Sequence, residues 1–389
     1  MKLVGEEVPV LNGKDRVAIM ELVRDRLGTG NFLMKKISFG RRSWLLRRQK
    51  IGQSSAVLRA NVANIRPRRQ RDAIVAPAYF CILPFADRNT KAVGEFFAFL
   101  RQVRGYKGSH LSIDMSQVTR LVATATLAFK AELSYLRARG VNISGTLPKK
   151  ARIHQVLTQT GLCDLLGLPK AKVLDREDIV HWTHASGTWT LAEPDKLEAF
   201  LRIADNPHSQ ELFRGMIESV SNCVEHAYQV HPQRRHLGSH FDGWWGFQQL
   251  RNGELTTCIF DIGIGIANAL PIKLRDEPGL LNKLMAAFRR IRGKDVQSIS
   301  AAIEYGRTST GLKERGKGLR DAHKVIDSAG NGQLMIISNR GLYAYTRERG
   351  KIVGSAVTRA LQGSMHGTMY LWRYPLLQSS PTSASGDPS

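Results

Sequence analysis

The side chains best suited to chemistry lie in the segment SQELFRGMIESVSNCVEHAY, residues 209–228. Its apolar spacing predicts an amphipathic helix, in which successive residues are about 100° apart. On such a helix Asn222 and His226 fall within about 80° of Glu218, and the apolar residues occupy the opposite face. The polar face thus groups carboxylate, amide and imidazole side chains, which can accept protons or bind cations. An ordinary amphipathic helix with a solvated face has the same pattern, so this segment alone does not define a site.

A second group of residues follows a predicted β-hairpin. The runs GWWGFQQL and ELTTCIF flank the turn signal RNGE, and the second run leads directly into DIGIGI. Asp261 is therefore expected at the end of a strand, where Gly263 and Gly265 would let the backbone bend and approach a ligand. The dinucleotide fingerprint G-x-G-x-x-G would need glycine at position 268, where the chain has Asn268, so a Rossmann site is not predicted.

The third group, STGLKERGKGLRDAHKVID, almost matches a phosphate-binding P-loop. Gly311, Gly316 and Lys317 fit the spacing G-x-x-x-x-G-K, but Gly318 stands where a Ser or Thr should bind Mg²⁺. A P-loop also follows a buried strand directly, whereas the preceding SISAAIEYGRTS predicts a helical or irregular segment. The helix that follows could present its N-terminal amides to a phosphate even without a P-loop.

The order of these groups is more specific than any one of them. The sequence contains Glu-x-x-x-Asn on a helix, Asp-x-Gly-x-Gly after a strand, Gly-x-Gly-Leu opening a helix and Gly-Thr opening a last strand. This arrangement resembles the GHKL ATPases, the Bergerat-fold family of gyrase-type topoisomerases, heat-shock chaperones, histidine kinases and mismatch-repair ATPases. The resemblance covers residues 205–376, and ESVSNCVEHAY is most similar to the anti-sigma-factor serine kinases.

The resemblance implies ATP and Mg²⁺ as ligands and a role for each matching residue. Glu218 would be the general base, and Asn222 would hold the metal. Asp261 would accept the adenine amino group, and Thr368 would support the adenine pocket. The other matching residues would surround the base and the phosphates, with a less defined role for the histidine: Gly263, Gly265, Lys313, Arg315, Gly316, Lys317, Gly318, Leu319 and His226. The stretch 267–315, rich in Arg, Lys and Gly, would be a mobile lid.

Residues 76–175 predict a separate α/β domain, because helical and strand-like segments alternate with short connections. The segments that carry this pattern include SHLSIDMS, TATLAFKAELSYLRARG, VNISG and ARIHQVLTQTGLCDLLGL. They resemble a STAS domain, the fold of anti-sigma-factor antagonists. The regulatory serine of that family lies in an Asp-Ser-Ser-Gly-Leu-type turn. Here the turn reads VATATLAF, so Thr124 is the nearest hydroxyl and the Asp and Gly are absent.

The fold prediction is therefore α/β in several parts. Residues 1–75 would form a basic, mainly helical N-terminal region, 76–175 the STAS-like domain and 176–195 a connector. Residues 196–377 would form a Bergerat-fold two-layer α/β sandwich, with a mixed sheet and helices on one face. Residues 378–389 have the composition of a disordered tail.

Charge and apolar content limit the choice of partners and compartment. The formal net charge is +24, and residues 35–71 contain twelve Lys or Arg but no Asp or Glu. Such a segment could bind nucleic acid or an anionic surface, although a solvated face would have the same charge. No apolar run approaches the roughly 20 residues that span a bilayer, and the N-terminus does not resemble a signal peptide. With four scattered cysteines, we expect a cytoplasmic protein without a transmembrane segment.

Three functions stay open at this point. The chain could be a regulatory ATPase or a protein serine/threonine kinase-type switch, coupled to its STAS-like domain and acting on a protein partner or in a homodimer. It could instead be an ATP-gated interaction module of the mobile-element or defence type, with residues 35–71 bound to nucleic acid. A third possibility is ATP binding without appreciable turnover, for which a base at Glu218 would be unnecessary.

Overall fold

A computed structural model of the chain describes residues 73–83, 90–172, 182–187, 208–223, 227–228, 243–308, 318–353 and 357–376. These residues all belong to one compact unit, Arg69–Ser389. The basic segment 35–71 and the C-terminal residues 378–389 lie outside the described residues, and so do the predictions made for them.

The first part of the described chain is a small parallel α/β arrangement. Its elements are β1 (Ile74–Val75), β2 (Tyr79–Phe80), α1 (Thr90–Arg104), β3 (His110–Asp114), β4 (Arg120–Leu121), α2 (Ala123–Ala138), β5 (Asn142–Gly145), α3 (Ala151–Gln159) and α4 (Leu162–Leu166). Strands β1, β3 and β5 pair in parallel in that order, and β2 pairs in parallel with β4. The alternation of helices and strands predicted over residues 76–175 is confirmed.

An aromatic core holds this first part together. The ring of Phe80 lies 4.9 Å from that of Phe96 and meets the ring of Phe129 edge-on at 5.3 Å. Helix α1 buries Phe96 with Leu100 and Val103, one face of an amphipathic helix. The helix predicted over ARIHQVLTQTGLCDLLGL is interrupted, because Gly161 takes a left-handed φ of 72° between α3 and α4.

The second part of the described chain is built around one large sheet. Its elements are β6 (Trp182–Gly187), α5 (Ser209–Asn222), β7 (Trp244–Arg251), β8 (Glu254–Asp261), α6 (Ile266–Lys273), α7 (Pro278–Ala287), α8 (Lys294–Thr308), α9 (Gly318–Ala329), β9 (Gly332–Ser338), β10 (Gly341–Glu348), β11 (Lys351–Ile352), β12 (Val357–Ala360) and β13 (Thr368–Pro375). The strand order is β11-β10-β9-β13-β8-β7-β6, and β12 also pairs with β10.

The large sheet differs from the mixed sheet expected from the sequence. Every strand pairing described in it is antiparallel. Strands β8 and β9 run in the same direction, but β13 is inserted between them and is antiparallel to both. The helical connection from β8 to β9 therefore joins two parallel strands that are not neighbours, which local sequence patterns do not reveal.

The turns of the sheet follow the sequence signals closely. The predicted hairpin is formed by β7 and β8, and its turn residues Asn252 and Gly253 have φ values of 51° and 71°. Positive φ at both central positions is the geometry that Asn-Gly turns favour. Strands β9 and β10 form a second hairpin, around Asn339 and Arg340.

Both faces of the large sheet are buried: the helices of the second part that pack on the sheet lie on one face, and the first part of the chain covers the other. Tyr370 and Trp372 of β13 pack with α5 and α9, and the Trp372 indole donates to the carbonyl of Ala322 at 2.8 Å. Met369 and Leu371 point to the opposite face and share a hydrophobic cluster with the first part of the chain. Helix α2 contacts β7 and β8 on that face. The described residues thus form three layers, with the sheet in the middle.

Two predicted segments have more structure than expected. Within the predicted connector 176–195, Trp182–Gly187 forms the edge strand β6 and pairs with β7. Within the predicted lid 267–315, α8 is part of the core, because Ile299 is completely buried. A side-chain carbon at Gly341 of β10 would lie only 2.8 Å from Cδ1 of Ile299. Helix α8 is therefore fixed on the sheet, and a mobile cover cannot extend over all of 267–315.

None of the helices in the described ranges is both long and apolar enough to cross a bilayer. The four cysteines all lie in those ranges, and each is buried without a disulfide bond.

Candidate functional site

A cavity opens where α5 ends, α9 begins and β13 enters the sheet, with α6 and α8 forming its other wall. Its lining residues are Asn222, Ala227, Asp261, Gly265, Ile266, Ala269, Leu270, Lys273, Ala302, Tyr305, Leu319, Thr368 and Tyr370. Five of these are residues singled out from the sequence: Asn222, Asp261, Gly265, Leu319 and Thr368. Segments far apart in the chain therefore contribute to one concave site.

The Asp261 carboxylate, only 2% exposed, is fixed by donors from three places in the fold. Its Oδ1 accepts the backbone N–H groups of Gly263 at 2.7 Å and Thr368 at 3.2 Å. Its Oδ2 accepts the thiol of Cys223, with Sγ at 3.3 Å. A buried carboxylate without such partners would be very costly, so these bonds both permit the burial and fix its orientation.

The Cys223 thiol is a donor at this position rather than a thiolate. Burial raises its pKa well above the ordinary value, and the neighbouring Asp261 charge raises it further. The thiol therefore keeps its proton at neutral pH and can donate it to the carboxylate.

A pair of hydroxyls connects Thr368 to the start of α6. The Oγ atoms of Thr368 and Ser338 lie 3.2 Å apart, and Ser338 Oγ accepts the backbone N–H of Ile266 at 2.8 Å. Since Ile266 and Thr368 both line the cavity, Ser338 sets the distance between two of its walls.

The two glycines of DIGIGI have packing roles that the sequence did not indicate. A side-chain carbon at Gly263 would collide with Ala227, five residues after the end of α5. Gly265 has a φ of 75°, and a side-chain carbon there would collide with the amide of Asn339. Both glycines are thus required by neighbouring protein atoms, and Gly265 also borders the cavity.

Tyr370 is a cavity residue that the sequence reading missed. Burial raises the pKa of its hydroxyl well above the usual value, and the nearby Asp261 charge raises it further. A hydrogen bond from the Asn222 side chain acts in the opposite direction, and Glu218 is near enough to contribute a small rise. The tyrosine hydroxyl therefore lies near both the polar face of α5 and Asp261 at the end of β8.

Glu218 and Asn222 occupy successive turns of α5, as expected. Both are half-buried, while the apolar face of the helix, including Leu212, Met216 and Val220, is buried. Asn222 lines the cavity, and Glu218 lies one turn earlier and is not a lining residue. The amphipathic pattern of this helix is confirmed.

The glycine-rich segment before α9 is only partly described. Gly318 is the first residue of α9, and Leu319 next to it borders the cavity. The predicted contacts that lie outside the described residues are Lys313, Arg315, Gly316, Lys317 and His226. Helix α8, not a strand, precedes the segment, which confirms that it lacks the setting of a P-loop.

The wall formed by α6 and α8 adds a cation and an aromatic ring. The Nζ atom of Lys273 lies 5.9 Å from the ring centre of Tyr305, within the range of a cation–π contact. Lys273 is exposed at the rim of the cavity, next to apolar lining residues such as Leu270 and Ala302. Neither Lys273 nor Tyr305 was singled out from the sequence, because their proximity depends on the packing of the two helices.

The side chains that could act as metal ligands limit how the cavity could hold a metal ion. Within the described ranges, no group of three or more His, Cys, Asp or Glu is arranged to hold an ion. A cation at Asn222 would therefore need most of its ligands from a bound molecule or from water, which is the usual coordination of Mg²⁺ with phosphates.

Thr124, the hydroxyl nearest to the STAS regulatory position, is buried near the start of α2. It is 7% exposed, and the neighbouring Thr126 donates its hydroxyl to the carbonyl of Val122 at 2.9 Å. In this conformation the Thr124 side chain is not presented to a modifying enzyme.

Comparison with known proteins gives no family assignment. A scan against protein-family models finds no match, and neither does a search of curated proteins. What the cavity binds must therefore be inferred from its own residues.

Proposed function

We propose that this chain is an ATP- and Mg²⁺-binding protein of the GHKL class, whose residues 196–377 act as a Bergerat-type nucleotide domain. The observation that carries the proposal is the convergence of Asp261, Asn222 and the first turn of α9 on one cavity. A buried acceptor, an amide and a helix N-terminus suit the base, the cation and the phosphates of a nucleotide.

The end of the cavity around Asp261 suits a purine. Its carboxylate can accept an exocyclic amino group, and the nearby side chains of Ile266, Ala269 and Leu270 offer apolar surface to a flat ring. The donors that hold Asp261 keep it oriented before the ligand arrives, which reduces the cost of binding.

The end around Asn222 and α9 suits the phosphates. The first turn of α9 has backbone N–H groups without intrahelical partners, which favour an anion. Asn222 would hold Mg²⁺ through its amide oxygen. When bound, the ion neutralises phosphate charge. Lys273 at the rim adds a positive charge from the opposite wall.

Glu218 is the proposed general base. It lies one helical turn before Asn222, so a water or a substrate hydroxyl near the phosphates would be within reach of the same helix face. A carboxylate that accepts a proton from that hydroxyl supports either hydrolysis or transfer to a serine or threonine. The proposed activity is therefore a regulatory ATPase or a protein serine/threonine kinase-type switch, coupled to the STAS-like residues 76–175.

The positive charge favours a second candidate function. With a net charge of +24 and a basic segment at 35–71, the chain could be an ATP-gated module that engages nucleic acid. In that case ATP turnover would depend on DNA or RNA, whereas a kinase-type switch would not need it.

Incubation with γ-labelled ATP distinguishes these functions. We expect labelled protein or free phosphate from the wild type without nucleic acid, and a loss of at least about 100-fold in rate for Glu218→Ala. Glu211→Ala, on the same helix two turns earlier, is the matched control and should keep the wild-type rate. Unchanged turnover in Glu218→Ala would contradict the assigned base. Phosphate release only with added DNA or RNA would favour the second function.

A further inference from the structure

The loop that leads into β13 rests on the first part of the chain. It comprises residues 361–367, and its Leu361 and Met365 are buried in the hydrophobic cluster that also contains α1. A side-chain carbon at Gly363 would collide with the ring of Phe97 in α1. The loop and the helix are therefore in direct contact, without room for another methyl group.

A buried ion pair joins this contact to α2. Arg104, at the end of α1, pairs with Glu132 of α2, and the two side chains are only 9% and 1% exposed. The same Nη2 atom of Arg104 donates to the carbonyl oxygen of Met365 at 3.2 Å. A buried ion pair is stable only when its two groups are well aligned, so Glu132 holds the Arg104 guanidinium in one position. Because the guanidinium also bonds the Met365 carbonyl, the loop is held in place as well.

Hydrogen bonds continue from this loop to the cavity. Met365 donates its N–H to the carbonyl of Asn339 at 2.9 Å, and Asn339 donates its own N–H to the carbonyl of Gly367 at 2.9 Å. The next residue, Thr368, donates to Asp261 Oδ1 at 3.2 Å. A continuous path of bonded groups thus runs from Arg104 to the carboxylate proposed to bind adenine.

We propose that Arg104 and Glu132 are positioning residues for the nucleotide site, and that nucleotide occupancy is coupled through them to the STAS-like part. They do not touch the cavity; they fix the loop that places Thr368 and Asp261. This inference rests on the proposed ATP site. Because coupling between two parts of a molecule is reciprocal, bound ATP should in turn stabilise the end of α1 and the part of α2 around Glu132.

The test replaces both charges together. The double variant Arg104→Met with Glu132→Met removes the bond to Met365 without leaving a buried charge unpaired, so the fold should survive. We expect its affinity for ATP–Mg²⁺, measured by calorimetry, to fall by about tenfold. Its melting temperature without nucleotide should stay close to that of the wild type.

Arg137→Met is the matched control. Arg137 is also on α2 and also donates to a carbonyl, that of Leu165 at 2.9 Å, but this bond stays within the first part of the chain. We expect this variant to bind ATP as the wild type does. If the double variant does not fold, Arg104→Lys serves instead: it keeps a charge opposite Glu132, but its side chain ends one bond short of the Nη2 position that contacts both partners. It should therefore also weaken ATP binding.

Hydrogen exchange gives a readout that a merely structural role would not change. In the wild type, ATP should slow exchange at 361–367 and at the last turn of α1; in the double variant, the slowing at α1 should be lost. If the double variant folds and binds ATP as tightly as the wild type, the inference is wrong, although the proposed ATP site stands. If the double variant does not fold, the same conclusion follows from wild-type affinity in Arg104→Lys. If the wild type itself binds no ATP, the proposed function fails, and this inference with it.

Discussion

The Asp261 carboxylate is oriented by two backbone N–H groups and by one side chain, the thiol of Cys223. Of the donors to Asp261 among the described residues, the thiol can be removed without altering the backbone. Cys223 therefore offers a way to disturb the proposed adenine contact while leaving every lining side chain in place.

We expect Cys223→Ala to lower the affinity for ATP by roughly threefold and the free energy of unfolding by about 1 kcal/mol, because one donor to a buried acceptor is lost. Cys223→Ser, which keeps a donor, should restore the affinity. Calorimetric titration and urea unfolding measure the two effects. Cys258→Ala is the control: it is equally buried in β8 but packs in the cluster facing the first part, so stability alone should fall.

Sequence spacing found some cavity residues and missed others for identifiable reasons. Asn222, Asp261 and Thr368 each stand at a motif position, next to a predicted helix face or strand end. Tyr370 could have been found as well, since strand alternation places it on the same face as Thr368. Lys273 approaches Tyr305 only because α6 packs beside α8, and no local pattern specifies that packing.

At the scale of elements, the turn from β8 into α6 shapes the cavity. Gly265 combines a φ of 75° with an approach to Asn339 that leaves no room for a side chain. We expect Gly265→Ala to lose about 1–3 kcal/mol of stability and most of its ATP affinity, because strain and collision both act at the cavity wall.

The variant Gly253→Ala shows the effect of backbone strain without a steric collision. Gly253 has a φ of 71° in the β7–β8 turn, but a side-chain carbon there would meet no described atom within 4 Å. This variant should lose only about 1 kcal/mol and bind ATP normally. Thermal unfolding and calorimetry test the pair; equal effects of the two substitutions on ATP binding would contradict the role given to Gly265.

A hydrogen bond between α9 and β10 holds these two elements together, and it predicts that the stability of the fold depends on pH. The Tyr345 hydroxyl donates to Asp327 at 2.6 Å, and burial, followed by this carboxylate, raises the Tyr345 pKa to about 12. A raised folded-state pKa means that the stabilisation is complete below the ordinary pKa of 10.0 and is lost as the pH rises towards 12.

We therefore expect Tyr345→Phe to be about 1–2 kcal/mol less stable than the wild type at neutral pH, with the difference shrinking above pH 10. Chemical unfolding at a series of pH values measures this. Because Tyr345 is not a cavity residue, ATP binding should change little. A difference that grows with pH would contradict the assignment of the Tyr345–Asp327 bond.

Elements with strong local signals were predicted well, and pairings between distant segments were not. The Asn-Gly turn specified the β7–β8 hairpin, and helical spacing specified α5. The sequence predicts a connector where β6 lies, because these six residues acquire strand geometry only by pairing with β7, about sixty residues later in the chain. The insertion of β13 between β8 and β9 is equally invisible to local patterns.

For the whole molecule, the central fact is that the large sheet is covered on both sides. Trp245, Phe247 and Phe260 face the first part of the chain and are buried with its helices. The sequence suggested two separate domains, since each part has its own α/β pattern. The continuous apolar strands, such as TMYLWRY, were the available sign that both faces need a partner.

Removing residues 1–175 should therefore expose a large apolar face. We expect the fragment 176–389 to aggregate or to bind a hydrophobic dye strongly, whereas the chain 69–389 should remain monodisperse. Size-exclusion chromatography and dye fluorescence make the comparison. A monodisperse, folded fragment 176–389 with normal ATP affinity would contradict the three-layer arrangement.

The central claim, that Asp261 anchors a nucleotide in the cavity, is tested most directly by the affinity of the purified chain for ATP–Mg²⁺ in isothermal titration calorimetry. Wild type should bind, and Asp261→Asn should lose roughly 10- to 100-fold, because a charged acceptor is removed. Asp295→Asn is the control, since Asp295 accepts a backbone N–H from Arg340 outside the cavity. It should bind as the wild type does. Failure of the wild type to bind, or equal affinity in Asp261→Asn, would contradict the account.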